Sequence, residues 1–274
     1  MKSGYPPAAW RLLIEGEADG ATQMARDEAI LTAVIEGSSP PTLRFYAWSP
    51  PCLSLGRNQP LADVALAACR AAGVEVVRRP TGGRAILHTD ELTYSVALRQ
   101  DDPRATGDLV ESYRRLSEGL LAGLRSLGAD AVQARSRELP ADPTAICFEA
   151  PSDYEIVVGG RKLVGSAQWR TRGGVLQHGS LPLWGDLTRI VACLALSAPE
   201  QEAQRHRLRM RAITLEEALG RPVSFAQAAQ ALAQGFAQAL NLVLVPGELT
   251  ARERALAVEL RRSRYAAAGW TGRA

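Results

Sequence analysis

Residues 147–180 read CFEAPSDYEIVVGGRKLVGSAQWRTRGGVLQHGS, and the fold is decided here. Tyr154, Ile156 and Val158 alternate with Glu155 and Val157, the period of a strand with two unlike faces. Gly159-Gly160 supplies the positive φ of a tight hairpin, and Arg161 to Trp169 reads as the returning strand. Gly173-Gly174 makes a second turn before Val175 to Leu181. The spacing predicts a small antiparallel meander with a thiol, Cys147, where it begins and an amine, Lys162, in its middle.

The amine stands out against the composition. The chain has 32 Lys plus Arg, yet only Lys2 and Lys162 are lysines. Lys2 sits at the terminus, so Lys162 is the one internal position where arginine was not used. Guanidinium keeps its proton in a protein, whereas an amine can lose one and concentrates its charge on a single atom. Two readings stand side by side: a solvated cation on a hairpin, or an amine placed to act on a thiolate or carbonyl oxygen.

Cys147 also has two readings. The four cysteines, Cys52, Cys69, Cys147 and Cys193, form no CxxC or CxxH pair, so no zinc or other metal site is expected. Cys69 and Cys193 lie in apolar helical patterns and read as buried small hydrophobes, and Cys52 follows Pro50-Pro51 in a loop. Cys147 is either another structural cysteine or a nucleophile. A nearby ammonium lowers a thiol pKa from about 8.5 and supplies thiolate at neutral pH.

At 274 residues the chain has ample length for a core, and 46% hydrophobic with 22% charged residues is the balance of a globular protein. A net charge of +3 with dispersed arginines argues against nucleic acid and suits an acidic protein partner. The N-terminus MKSGYPPAAWRLLIEG has no continuous apolar segment, and no stretch approaches about 18 apolar residues, so no membrane association is expected. The expected location is the cytoplasm, with reduced thiols.

Working outward, Trp10 to Ile14 reads as a strand and Thr22 to Glu36 as a helix closed by Gly37. Leu43 to Trp48 is a strand, Leu61 to Ala72 helical, and Val74 to Val77 a strand. RRPTGGRAILH at 78–88 is punctuated by Pro80 and Gly82-Gly83, with Arg79 and Arg84 on either side. It is either a plain hairpin with flanking cations or bare backbone brought close to something beneath; no Walker loop and no GxGxxG is present. ELTYSVAL at 91–98 alternates as a strand. Asp108 to Leu127 is the strongest helix, with an Asp108/Glu111 capping box and a leucine stripe. Further helices are expected at 186–196, 214–219, 224–240 and 250–268, the last three opened by Thr214/Glu217, Ser224/Gln227 and Thr250/Glu253. Strands first and helices later predict an α+β fold, a mixed and largely antiparallel sheet packed with helices. No linker divides the chain. A single catalytic domain over 1–274 is expected, with a core at about 38–248 and a helical segment at 250–269.

RRPTGGRAILHTDELTYSV at 78–96 resembles the RRxxGG signature of the lipoate ligase and biotin ligase superfamily. GRKLVGSAQWR and LQHGSL at 160–181 are similar to that superfamily's lysine-bearing segment, and the likeness extends to QMARDE at 23–28 and PTLRFYAWSPPCLSLGRNQP at 41–60. It covers most of residues 10–250 and implies the catalytic-domain fold of those ligases. Two departures from the ATP-dependent ligases resemble the cysteine-dependent octanoyltransferases instead: Arg84 where a third glycine is usual, and Cys147 before the lysine hairpin. The resemblance implies a transfer of octanoate from octanoyl-acyl carrier protein to a lysine of a lipoyl domain, such as the glycine cleavage H protein, with no cofactor. It implies Cys147 as the thioester nucleophile and Lys162 as the group lowering its pKa. It further implies Arg79, Gly82, Gly83, Arg84, His88, Gly165, Ser166, Ala167 and His178 around the substrate. His88 and His178 are either satisfied structural histidines or aids to proton transfer. Burying eight carbons at about 0.8 kcal/mol each gives at most on the order of 6 kcal/mol, enough to select a medium chain. The alternatives are an ATP-dependent lipoate-protein ligase and a non-catalytic acyl- or carrier-binding protein.

Overall fold

The computed structural model describes residues 4–134 and 155–273. Its elements in chain order begin with β1 (Ala8–Ala18), α1 (Gly20–Ile35), β2 (Thr42–Trp48), β3 (Cys52–Leu55), α2 (Leu66–Ala71), β4 (Glu75–Arg78), β5 (Ile86–His88) and β6 (Glu91–Arg99). Then come α3 (Leu109–Ser126), β7 (Val132–Ala134), β8 (Glu155–Val158), β9 (Arg161–Thr171) and β10 (Gly174–Pro182). The chain continues with α4 (Ala198–Arg211), α5 (Leu215–Leu219), α6 (Phe225–Leu240), β11 (Leu242–Pro246), α7 (Ala251–Leu260) and α8 (Ala268–Thr271).

The expected meander is present: β8, β9 and β10 pair antiparallel in sequence. They belong to an eight-stranded sheet ordered β11-β1-β2-β6-β10-β9-β8-β7. β11 and β2 both pair parallel with β1, and the remaining pairs are antiparallel, so the sheet is mixed as its strand pattern predicts. β10 is buried at every position and β6 at all but Arg99, as befits strands covered on both faces. On one face α3 and α6 pack over Trp10, Phe45, Tyr94, Val164 and Val175. On the other, α1 lies on β6 and β10 with α7 on its back, and a second sheet ordered β4-β3-β5 covers the rest.

The capping boxes of α3, α6 and α7 form as the sequence requires. At α5 the Thr214 side chain accepts from the Glu217 backbone, while the Glu217 carboxylate pairs with Arg161. Two stretches differ. Residues 186–196 form a short 3-10 segment, Leu187–Cys193, because the next two residues are pulled out straight: Leu194 bridges to Val64, and the Ala195 amide donates to Asp63 O at 2.9 Å. The helix comes later, as α4, with a Ser197/Glu200 capping box. Its apolar signal is weak because it buries only Gln204 and Leu208. Past α7 the helix widens into one π turn, Arg261–Tyr265, rather than running straight to 268.

Where α3 crosses α6 the backbones nearly touch. A Cβ added to Gly235 would lie 2.2 Å from the Gly123 nitrogen and 2.4 Å from the Gly119 oxygen. Gly235→Ala must therefore push the helices apart and should cost about 1–3 kcal/mol in urea unfolding. Gly16→Ala meets nothing within 4 Å and should stay within about 0.5 kcal/mol of the parent.

α7 is tied to the sheet by one carboxylate. Glu253, fully buried, accepts from Arg11 at 2.5 and 2.9 Å, from Ser39 Oγ at 2.9 Å and from the Thr250 amide at 2.7 Å. Burial alone would raise its pKa, but Arg11 and these donors bring it below the usual 4.5. A depressed carboxylate contributes stability above its unfolded pKa and loses it as pH falls through the folded one. Glu253→Gln should thus be destabilised near neutral pH, with a shallower acid limb below about 4.5, read as the thermal midpoint between pH 3 and 7.

Candidate active site

One row of residues crosses four strands in register. Gly165 on β9 faces Ser180 on β10, Ser180 faces Thr93 on β6, and Thr93 faces Tyr46 on β2. Three strand spacings of about 4.8 Å make this row roughly 14 Å long. It lies on the face carrying α1 and the small sheet. Ile86 and His88 of β5, Ser54 of β3 and Arg79 arch over it, leaving a narrow slot.

At the β9 end stands the only internal lysine. Ile156 pairs with Val164, which brings Glu155 level with Gly165. The β8–β9 register slips by one residue between Lys162 and Val164. A bulge of this kind re-aims the side chains beside it. The Lys162 ammonium meets the Glu155 carboxylate at 2.5 Å, and both groups are buried. The solvated-hairpin reading of Lys162 is overturned by this burial.

Behind the slot the polar side chains are bonded to one another. His178 meets Thr81 Oγ1 through Nε2 at 2.8 Å and Asp27 Oδ2 through Nδ1 at 3.3 Å. Asp27 also accepts from Arg44 at 2.7 Å, Tyr46 at 2.9 Å and Ser95 at 2.8 Å. Burial would raise the Asp27 pKa, but Arg44, with His178 and Ser95, brings it below its usual value. Burial pushes His178 below the usual 6.5 against the pull of Asp27, so its ring is neutral at neutral pH. His88 meets Ser54 Oγ and Glu91 Oε1, each at 2.7 Å, and stacks on Trp48 with centroids 4.0 Å apart. Both histidines have a partner at each ring nitrogen, which is the satisfied structural arrangement.

The RRPTGG segment is not a hairpin with surface cations. Arg78 is fully buried and donates to Gly56, Arg57, Gln59 and Thr271 carbonyls. Arg79, also buried, donates to Ser54 O, Gly82 O and Arg84 O at 2.7–2.9 Å, so it fastens the loop to β3. Gly83 has φ 89°, and a Cβ on Gly56 would come 1.9 Å from its carbonyl oxygen. These two glycines allow loop and strand to pass in contact. Gly82 and Gly83 line a second, outer hollow with Leu109, Val110 and Tyr113, which shares Ser166 and Ala167 with the slot. Arg84 lines neither hollow and contributes its carbonyl.

Gly165, Ser166, Ala167, His88, His178 and Arg79 therefore converge on one slot, with Gly82 and Gly83 next door. Cys147 lies outside the described residues, as does Tyr154. The other three thiols are buried. Burial raises the pKa of Cys52 well above its usual value, raises that of Cys69, and takes Cys193 to about 12. Among the described residues no group of three or more His, Cys, Asp or Glu is placed to hold a metal ion. Sequence reading missed Arg44, Tyr46, Trp48, Ser54, Thr81, Glu91 and Glu155 as parts of the site. Thr81 sits in the loop after β4, and the signal for the others is their strand position, visible only once the register is known.

The chain matches the lipoyl protein ligase A/B catalytic domain over residues 19–237. Octanoyltransferase LipM of Kyrpidia tusciae is 47% identical over 271 residues, 96% of this chain and 98% of that protein. Octanoyltransferase LipM of Moorella thermoacetica is 48% identical over 275 residues, 98% and 99% of the two. A chain from the archaeal lipoylation system of Thermoplasma acidophilum, a bi-partite lipoate protein ligase and its E2 lipoyl domain, superposes with a TM-score of 0.82 at 26% identity, covering 97% of this chain and 98% of that one. Lipoate-protein ligase A bound with ATP gives 0.79 at 26% identity over 97% and 100%. A match running from α1 into the last turns of α6, with relatives alike from end to end, leaves one placement: this chain belongs to the lipoyl protein ligase A/B catalytic domain family.

Proposed function

We propose that the chain transfers an octanoyl group in protein lipoylation, from octanoyl-acyl carrier protein to a lysine of a lipoyl domain or the glycine cleavage H protein, through a thioester on Cys147. The observation carrying this is the slot itself: a narrow, largely apolar space whose β9 end, at Gly165, lies level with Glu155, the buried partner of Lys162. An extended eight-carbon chain with bonds of about 1.5 Å in zigzag is roughly 10 Å long, which suits a row of about 14 Å less the side chain that closes it. The near-full-length likeness to octanoyltransferases supports the acyl group, and the raised pKa values of the other three thiols leave them unsuited as nucleophiles.

The Cys147 thiolate attacks the thioester carbonyl of the donor; the new C–S bond forms as the old one breaks, and the carrier leaves as its thiolate. Lys162 favours the Cys147 thiolate by its charge. The acceptor lysine, arriving as the neutral amine, then attacks the Cys147 thioester. An amide forms, Cys147 departs as thiolate, and the amine's proton passes to solvent. The first exchange is close to isoenergetic and the amide drives the second, so no nucleotide is consumed. Among the described residues no helix is long and apolar enough to cross a membrane, and the proposed site of action is the cytoplasm, where the thiol stays reduced.

Incubation with octanoyl-acyl carrier protein, without ATP, should give a hydroxylamine-labile octanoyl adduct by intact mass, and Cys147→Ser should lower transfer by on the order of a thousandfold or more. Product appearing only with ATP and free lipoate would make the protein a ligase instead. No turnover with any donor would make it a binding protein.

Lys162 is tested by the pH dependence of iodoacetamide alkylation, counted as one adduct because the other thiols are buried. Lys162→Ala should raise the pH midpoint by on the order of one unit, both by losing the ammonium and by leaving the Glu155 carboxylate uncompensated. Lys162→Arg should raise it less, its charge being spread over three nitrogens. Identical profiles would sever Lys162 from the thiol.

A further inference from the structure

The slot narrows chemically along its length. At the β9–β10 end its wall is made of small residues, Gly165, Ser166, Ala167, Gly179 and Ser180, and at the β2 end of large ones, Tyr46, Trp48 and Met24. Tyr46 is fixed by its bond to Asp27 and by the Arg44 guanidinium 3.9 Å from its ring centre. Trp48 is fixed by its bond to Thr93 Oγ1 at 2.7 Å and by stacking on His88. Met24, on α1 and 1% exposed, is held by packing alone. Its side chain is unbranched, with three rotatable bonds and no hydrogen bond to lose. It belongs to the same apolar cluster as Ala25, Ala29, Ala257 and Tyr265. The other way out, along the strands, is closed by the Glu91 carboxylate, which accepts from Thr93 and Ser180 and meets His88. An alkyl chain forced that way would strip buried hydrogen bonds.

We infer that Met24 is the end stop of the slot and sets the length of acyl chain it accepts. The inference rests on reading the slot as an acyl site, with the carbonyl at the Lys162–Glu155 end. A longer chain meets the Met24 thioether, and removing it opens apolar space rather than a polar wall. Two further methylenes buried there are worth about tenfold in affinity.

Met24→Ala should shift preference from octanoyl to decanoyl or dodecanoyl by roughly tenfold, and Met24→Phe should shift it towards hexanoyl. Two readouts are needed: transfer from acyl-carrier-protein thioesters of six, eight, ten and twelve carbons, and the rise in melting temperature with the free fatty acids of those lengths. If the parent transfers octanoyl but both variants keep its order of chain lengths, Met24 is not the stop and the transfer reading survives. If the parent transfers nothing, yet fatty-acid stabilisation tracks chain length and moves with Met24, the stop survives and the transfer reading falls. Should Met24→Ala fail to fold, Met24→Phe still decides, since an unchanged hexanoyl-to-octanoyl ratio overturns the inference.

Discussion

A single buried ion pair underlies the rest. Arg44, on β2 and without solvent exposure, donates to Asp27 of α1, to the Gln23 side chain and to the Glu15 carboxylate of β1. A charge with no access to water must have such partners, because leaving it unpaired costs several kcal/mol. Asp27, which accepts from Arg44, Tyr46 and Ser95, has one further contact, and that is His178. His178 in turn holds Thr81, next to the glycine pair of the RRPTGG loop. A helix, four strands and a loop are thus set by one chain of bonds, and the slot is the space those elements leave.

The small sheet does the complementary work from above. Arg78 and Arg79 are adjacent, so strand alternation sends them to opposite sides. Arg78 gathers carbonyls behind β4, and Arg79 gathers those of β3 and of the loop after it. Neither guanidinium is left to act as a loose cation. Their charges are spent on the backbone carbonyls of the surrounding strands and loop.

Legibility in the sequence varies with the range of the interaction. The β8–β10 meander, the α3 helix and most of the caps rest on contacts within a few residues, and local patterns spell them out. β11 is not legible, because its five residues are a strand only by pairing with β1, more than two hundred positions away. α4 is hidden because it buries so little, and 186–196 reads as a helix only until Val64 and Asp63 draw its end straight. In the site, composition alone singles out Lys162, but its partner Glu155 needs the bulge beside β9 to be seen. Arg79 reads as a flanking cation and is instead a buried rivet, a difference that no local pattern records.

The pairing of β1 between β2 and β11 has a consequence for how the protein is made. β2 leaves the ribosome soon after β1, but β11 begins some 224 residues behind the end of β1. At about 5–20 residues per second this is a delay on the order of 10–50 s. For that interval the outer edge of β1 is an unpaired row of amides and carbonyls, the form of surface that recruits a strand from another chain. Arg11 sits on that edge strand, and its carboxylate partner Glu253 is synthesised later still. The nascent chain therefore presents a charged residue on its exposed strand during the time it is most open to misassociation, and buries that charge only when α7 arrives.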